Sequence, residues 1–202
     1  MLISKFILML IATLFSGIGI GLTVAANLGL APWDVLHRAF SIQFGWSMGT
    51  SIIVVSIITL LTWIPLKQKP GIGTIAGMFL VGLSVDATLW LVSSSHYPPL
   101  QWIYLSAGLV LFSFGVSAFV HAQLGVGPRD GLMLGLKKLG FASTQTIRIS
   151  IDCVALSIGW FMSGPIGVGT LILAFGVGPL IQFNLKLLEN IISFNNIKDK
   201  SL

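Results

Sequence analysis

Leu28-Gly29-Leu30-Ala31-Pro32-Trp33-Asp34-Val35-Leu36 returns 96 residues later as Leu124-Gly125-Val126-Gly127-Pro128-Arg129-Asp130-Gly131-Leu132, with Leu, Gly, Pro, Asp and Leu in the same five places. The same offset carries Gly71-Ile72-Gly73-Thr74 onto Gly167-Val168-Gly169-Thr170, and Phe79, Val81 and Gly82 onto Phe175, Val177 and Gly178. One offset serving separated motifs points to an internal duplication, which has to be read before anything else in the chain.

Composition names the solvent. Of 202 residues, 55% are hydrophobic and 8% charged. A water-soluble domain carries about 25% charged residues, so this chain cannot cover a water-facing surface. It reads as an all-α polytopic membrane protein whose principal partner is the lipid bilayer. The net charge of +5 does not indicate nucleic acid, because the basic residues lie in short loops and tails between apolar runs and form no stripe or cluster. The lone Cys153 sits in an apolar run and can form no internal disulfide. The N-terminal apolar run resembles a signal peptide, but it is long enough to span and has a counterpart around 102–122, so it is expected to remain.

Six runs have the length expected of a membrane crossing, near 4–26, 47–66, 72–95, 101–122, 146–164 and 167–188. The duplicated motifs fall between the first and second runs and between the fourth and fifth, each followed by a segment too short and polar to span. Each segment is expected to be a short helix, lying in the interface or re-entering. Gly29 and Gly125 end the preceding span. Pro32 and Pro128 suit a first helical turn, and Asp34 and Asp130 then sit near the positive end of the helix dipole. A helix start is itself a sufficient account of Pro-x-Asp.

With the N-terminus in the cytoplasm, every Lys and Arg except Arg38 falls on the inner side, as the positive-inside rule requires. Three spans per repeat is an odd number, so the halves enter the bilayer in opposite senses. The expected architecture is one membrane domain over 1–202. Repeat one covers about 4–95, repeat two about 101–188, and 189–202 is a cytoplasmic tail. Many secondary transporters are built from such inverted repeats. Gly17, Gly19 and Gly21 align with Ser113, Gly115 and Ser117, so the first and fourth spans are expected to cross closely at small residues.

Ionisable groups within spans are functional candidates. Asp86 lies inside the third span with no cation near it in sequence, and its repeat mate is Gln182. Arg148 and Asp152 are four residues apart, so they share a helix face and can pair. That pairing alone would explain them structurally. Pro179 interrupts the sixth span and frees a backbone carbonyl. Together with Gln182 it is expected to face a cavity, lined by the third and sixth spans. His37, His96 and His121 show no ligand spacing, so neither a metal nor a cofactor is expected. Trp33 reads as an interfacial anchor or a cation-stacking ring. No catalytic constellation is legible, and an enzyme is not expected.

Leu-Gly-x-Ala-Pro-Trp-Asp-Val-Leu-His at 28–37, Pro-Gly-Ile-Gly-Thr at 70–74 and Gly-Val-Gly-Pro-Arg-Asp-Gly-Leu-Met at 125–133 resemble the YczE/YyaS/YitT family of bacterial integral membrane proteins. The resemblance covers nearly the whole chain. It implies a bacterial cytoplasmic-membrane protein and carries no substrate and no functional residues. The residues themselves favour a small-solute carrier or channel, with Asp34 and Asp130 at two opposite mouths and Asp86, Arg148 and Asp152 as coupling or gating groups. A six-span chain of this size could enclose its path as a homo-oligomer. The competing reading is a non-transporting accessory protein that binds a protein partner.

Overall fold

The computed structural model describes residues 3–140 and 142–188 with their side chains, and the helical backbone of residues 2 and 189–198. The described residues form eight helices: α1 (Leu2–Ala26), α2 (Pro32–Phe44), α3 (Met48–Leu61), α4 (Ile72–Leu91), α5 (Pro98–Ala122), α6 (Pro128–Lys138), α7 (Thr144–Phe161) and α8 (Val168–Lys198). Four of them, over Ile3–Ala26, Ile72–Leu91, Pro98–Ala122 and Val168–Leu188, are long and apolar enough to cross a membrane. The count is five if α2 and α3, bent by 113° at their junction, form one broken span. The expected second and fifth crossings are shorter than their apolar runs suggest. At about 1.5 Å per residue, α3 extends roughly 21 Å and α7 roughly 27 Å, against a hydrocarbon core of about 30 Å. The expected tail at 189–202 starts as a continuation of α8, which runs to Lys198; residues 199–202 lie outside the described residues.

The same local structure is built twice. Among the described residues, the non-glycine residues with positive φ are Asn27, Lys67, Gln123 and Ser163. They form two pairs at the 96-residue offset. Gly29 (φ 104°) and Gly125 (φ 154°) form a third, and there only glycine avoids a clash of Cβ with the backbone. The residues preceding α2 and α6, Ala31 and Gly127, have identical φ and ψ of −60° and 153°. Ser47 caps α3 by accepting from the Thr50 amide, and Ser143 caps α7 by accepting from the Thr146 amide, both at 3.1 Å. Such a hydroxyl satisfies one of the amides that a helix start leaves unpaired.

The two halves interlock by exchanging equivalent contacts. The Gly73 amide donates to the Leu124 carbonyl at 2.9 Å, and the Gly169 amide donates to Leu28 at 2.7 Å. Thr74 Oγ1 accepts from the Val126 amide, and Thr170 Oγ1 accepts from Leu30. Each motif is therefore seated on the opposite half. At the centre α1 and α5 run antiparallel, with Gly19 against Gly108 and Phe112, and Gly115 against Ala12 and Ser16. Gly17 and Gly21 do not join this crossing. They face α4 and receive Ser84 and Thr88, while their mates Ser113 and Ser117 turn towards α8, bonding Asn184 and the Ile181 carbonyl. Helix periodicity explains the split, since positions two apart cannot share a face.

The outer faces are strongly apolar. Ile7, Leu14, Leu83, Trp90, Phe175 and Phe183 are all exposed. Apolar area on this scale would drive association in water; in lipid it is the surface that satisfies the solvent.

Candidate functional site

The short helices aim their first turns into one space. A cavity of about 260 Å³ is bordered by Pro32, Trp33, Asp34 and His37 of α2 and by Pro128, Arg129 and Asp130 of α6. Ile52, Ser56 and Thr59 of α3 form one wall, Arg148 and Asp152 of α7 another, and Leu173, Val177 and Ile181 of α8 a third. Ile20, Phe112 and Val116 close it from the α1/α5 crossing. Asp34 and Asp130, expected at two separate mouths, therefore border the same cavity. Asp130 also lines a second, smaller cavity of about 150 Å³ between α1, α4 and α5.

Asp152 organises the polar part. Its Oδ1 accepts from Trp33 Nε1 at 3.0 Å, and its Oδ2 accepts from Arg129 Nη2 at 3.2 Å. Trp33 and Arg129 are equivalent positions of the duplicated motif, so one carboxylate ties both motifs to α7. The expected Arg148–Asp152 pairing is replaced by these bonds. The i,i+4 spacing permitted it, but two donors from other elements reach the carboxylate first. The Trp33 indole N–H is thereby committed to Asp152. Arg148 borders the cavity one turn before Asp152, and neither the Arg148 nor the Asp130 side chain has a hydrogen bond or ion pair among the described residues. An ammonium-like or carboxylate-like group entering the cavity would thus find a complementary charge already in place.

Asp34 and His37 form a second, more enclosed contact, Oδ1 to Nδ1 at 3.2 Å, and the two residues are 6% and 8% exposed. They lie one helical turn apart on α2, and that spacing is the signal of a shared face. Weighing His37 only as a metal ligand misses it. No group of three or more potential metal ligands occurs among the described residues.

Two expected pathway residues, Asp86 and Gln182, and the expected interruption at Pro179 lie elsewhere. Asp86 does not border the cavity. Its carboxylate accepts from the Gly49 amide at 2.7 Å and from Ser47 Oγ at 2.6 Å, at the start of α3. Amide and hydroxyl donors meet the charge that sequence alone left without a partner. Pro179 and Gln182 are exposed, and α8 runs unbroken through Pro179. Gly178 and Ile181 are what α8 presents to the cavity there.

A family model matches residues 3–186 of the chain. This protein belongs to the family of unknown function DUF6198. Among its relatives, an uncharacterized protein of Haemophilus influenzae is 31% identical over 184 residues, covering 91% of this chain and 84% of that protein. The uncharacterized membrane protein YczE of Bacillus subtilis is 33% identical over 169 residues, covering 83% of this chain and 79% of YczE. YyaS of the same organism is 27% identical over 183 residues, covering 89% and 91%. No solved structure matches. The family resemblance read from the two Pro-x-Asp motifs therefore holds for YczE and YyaS, and the chain is a membrane protein with several apolar helices.

Proposed function

We propose that this protein is a small-solute carrier of the bacterial cytoplasmic membrane, built from two inverted repeats with both termini in the cytoplasm. In this reading α1, α3, α4, α5, α7 and α8 cross the bilayer, and the shortness of α3 and α7 is made up by their flanking turns. Helices α2 and α6 re-enter from opposite faces. The observation that carries the reading is the convergence of their first turns on one cavity that holds Arg148 and Asp130 without partners. Interrupted helices whose amide ends face a mid-membrane site are the usual means by which carriers hold charged solutes. Helix N-termini favour anionic groups. The apolar lining from Ile20, Phe112 and Val177 suits the body of a small organic solute that bears a charged or zwitterionic head.

The test is uptake into proteoliposomes of a panel of radiolabelled amino acids, carboxylates and amines, with Arg148→Gln and Asp130→Asn beside the wild type. Uptake that depends on Arg148 supports the carrier. Uptake of a substrate unaffected by both substitutions would place the path elsewhere. Absence of flux for every class would favour the accessory-protein alternative.

A further inference from the structure

The two halves share a local design but differ at one seam. In the first half, α3 and α4 are packed shut. Met48, Ile52 and Val85 belong to one buried cluster with Ile20. A Cβ on Gly49 would meet Asp86 and the Gly82 carbonyl, and a Cβ on Gly82 would meet Ile53 and the Gly49 carbonyl. Asp86 fastens the seam by bonding Ser47 and Gly49.

The equivalent seam between α7 and α8 is parted. Thr144, Arg148 and Ile181 stand where Met48, Ile52 and Val85 stand in the first half, and none of the three is buried. Gly178, the mate of Gly82, has nothing within 4 Å of where a Cβ would be. Gln182, the mate of Asp86, is exposed, and so is Gln145, the mate of Gly49. The cavity lies in this parting, bordered by Arg148 and Asp152 on one side and by Ala174, Gly178 and Ile181 on the other.

We infer that these seams are the two gates of the carrier, the α3/α4 gate latched by Asp86 and the α7/α8 gate closing on Gln182. The inference rests on the inverted-repeat reading above. Two halves of one design in different conformations imply a second state in which the conformations are exchanged. With the termini in the cytoplasm, the latched seam faces outward and the parted seam faces inward, so the cavity is open to the cytoplasm. In the exchanged state Gln182 approaches Ser143 as Asp86 approaches Ser47 here, while Gln145, with a side chain where Gly49 has none, keeps that seam from closing as tightly. The latches are not chemically equal. A carboxylate accepting two hydrogen bonds holds more tightly than a neutral amide, which biases the protein towards the inward-open state.

The test uses Cys153→Ser as background and Ser56→Cys as a reporter in the cavity, probed with a membrane-impermeant maleimide in inverted and right-side-out vesicles. Labelling is expected from the cytoplasmic face, and Asp86→Ala is expected to raise labelling from the outer face several-fold. A second measurement keeps Asp86 intact: Gln145→Cys with Gln182→Cys, oxidised by copper phenanthroline, should cross-link at least tenfold faster than Gln145→Cys with Phe183→Cys, an exposed position at the same depth. Outer-face labelling that ignores Asp86→Ala, or equal cross-linking of the two pairs, overturns the gates. Switching of accessibility without flux of any solute would uphold the gates and remove the carrier.

Discussion

Substituting Gly19 by alanine adds one methyl group at a close backbone approach between α1 and α5. The new Cβ would stand 2.5 Å from the Phe112 nitrogen, 2.7 Å from the Gly108 carbonyl oxygen and 2.8 Å from the Phe112 Cα. All three are backbone atoms, so no rotamer change relieves the clash, and the helices must part. Carbon contacts are comfortable near 3.5–4.0 Å, so the axes must separate by roughly 0.5–1 Å, a gap that forfeits about a quarter to a half of each contact across it. With on the order of 20–40 atom pairs at the crossing, each worth ~0.1–0.2 kcal/mol, the loss is roughly 1–3 kcal/mol. Overpacked cores lose a similar amount, about 1–3 kcal/mol. For a chain of this length that corresponds to a fall in Tm of roughly 2–12 °C. The assay is thermal unfolding of the detergent-solubilised protein, monitored by the loss of its monodisperse chromatographic peak. Gly178→Ala is the control, since a methyl group there meets nothing within 4 Å; it should leave Tm within about 1 °C or raise it slightly through better helix propensity. Equal Tm values for Gly19→Ala and Gly178→Ala would falsify the account of a backbone-to-backbone crossing.

Other substitutions separate the remaining contacts. A double-mutant cycle of Arg129→Gln and Asp152→Asn should show a coupling energy of about 1 kcal/mol, measured by thermal unfolding, and additive effects would mean that the pair is not formed. Trp63→Phe removes the indole donor to the Pro128 carbonyl, a 3.0 Å bond from a fully buried ring. It should cost about 1 kcal/mol, while Gly131→Ala, whose methyl would enter the Trp63 ring, should cost more. Ser47→Ala should destabilise more than Ser143→Ala, because both serines cap a helix, a role worth about 1 kcal/mol, but only Ser47 also holds Asp86. Equal losses would argue that the Asp86 bond contributes nothing.

Repetition and the choice of solvent were legible along the chain. Charge at 8% excludes a water-facing surface whatever the fold. A single offset linking Pro32 to Pro128 and Gly73 to Gly169 marks the duplication without any coordinates. The beginnings of α2 and α6 were legible because proline and glycine act on the local backbone. Partners were harder to read. Asp86 looks like a lone charge in an apolar run, but its donors, Ser47 and the Gly49 amide, lie 39 and 37 residues away. Arg148 and Asp152 have an ideal local spacing, yet the bonds to Asp152 come from Trp33 and Arg129.

The sequence by itself determined the solvent, the twofold plan and the places where helices begin, because composition, repetition and proline act locally and need no knowledge of what lies across the fold. Only the tertiary structure decided that both motifs border one cavity, that Asp152 joins them, and that one seam is latched while its twin is parted. Those are contacts between residues far apart in the chain. A pattern repeated in both halves cannot say which seam packs closely, since that depends on side chains that only folding brings together.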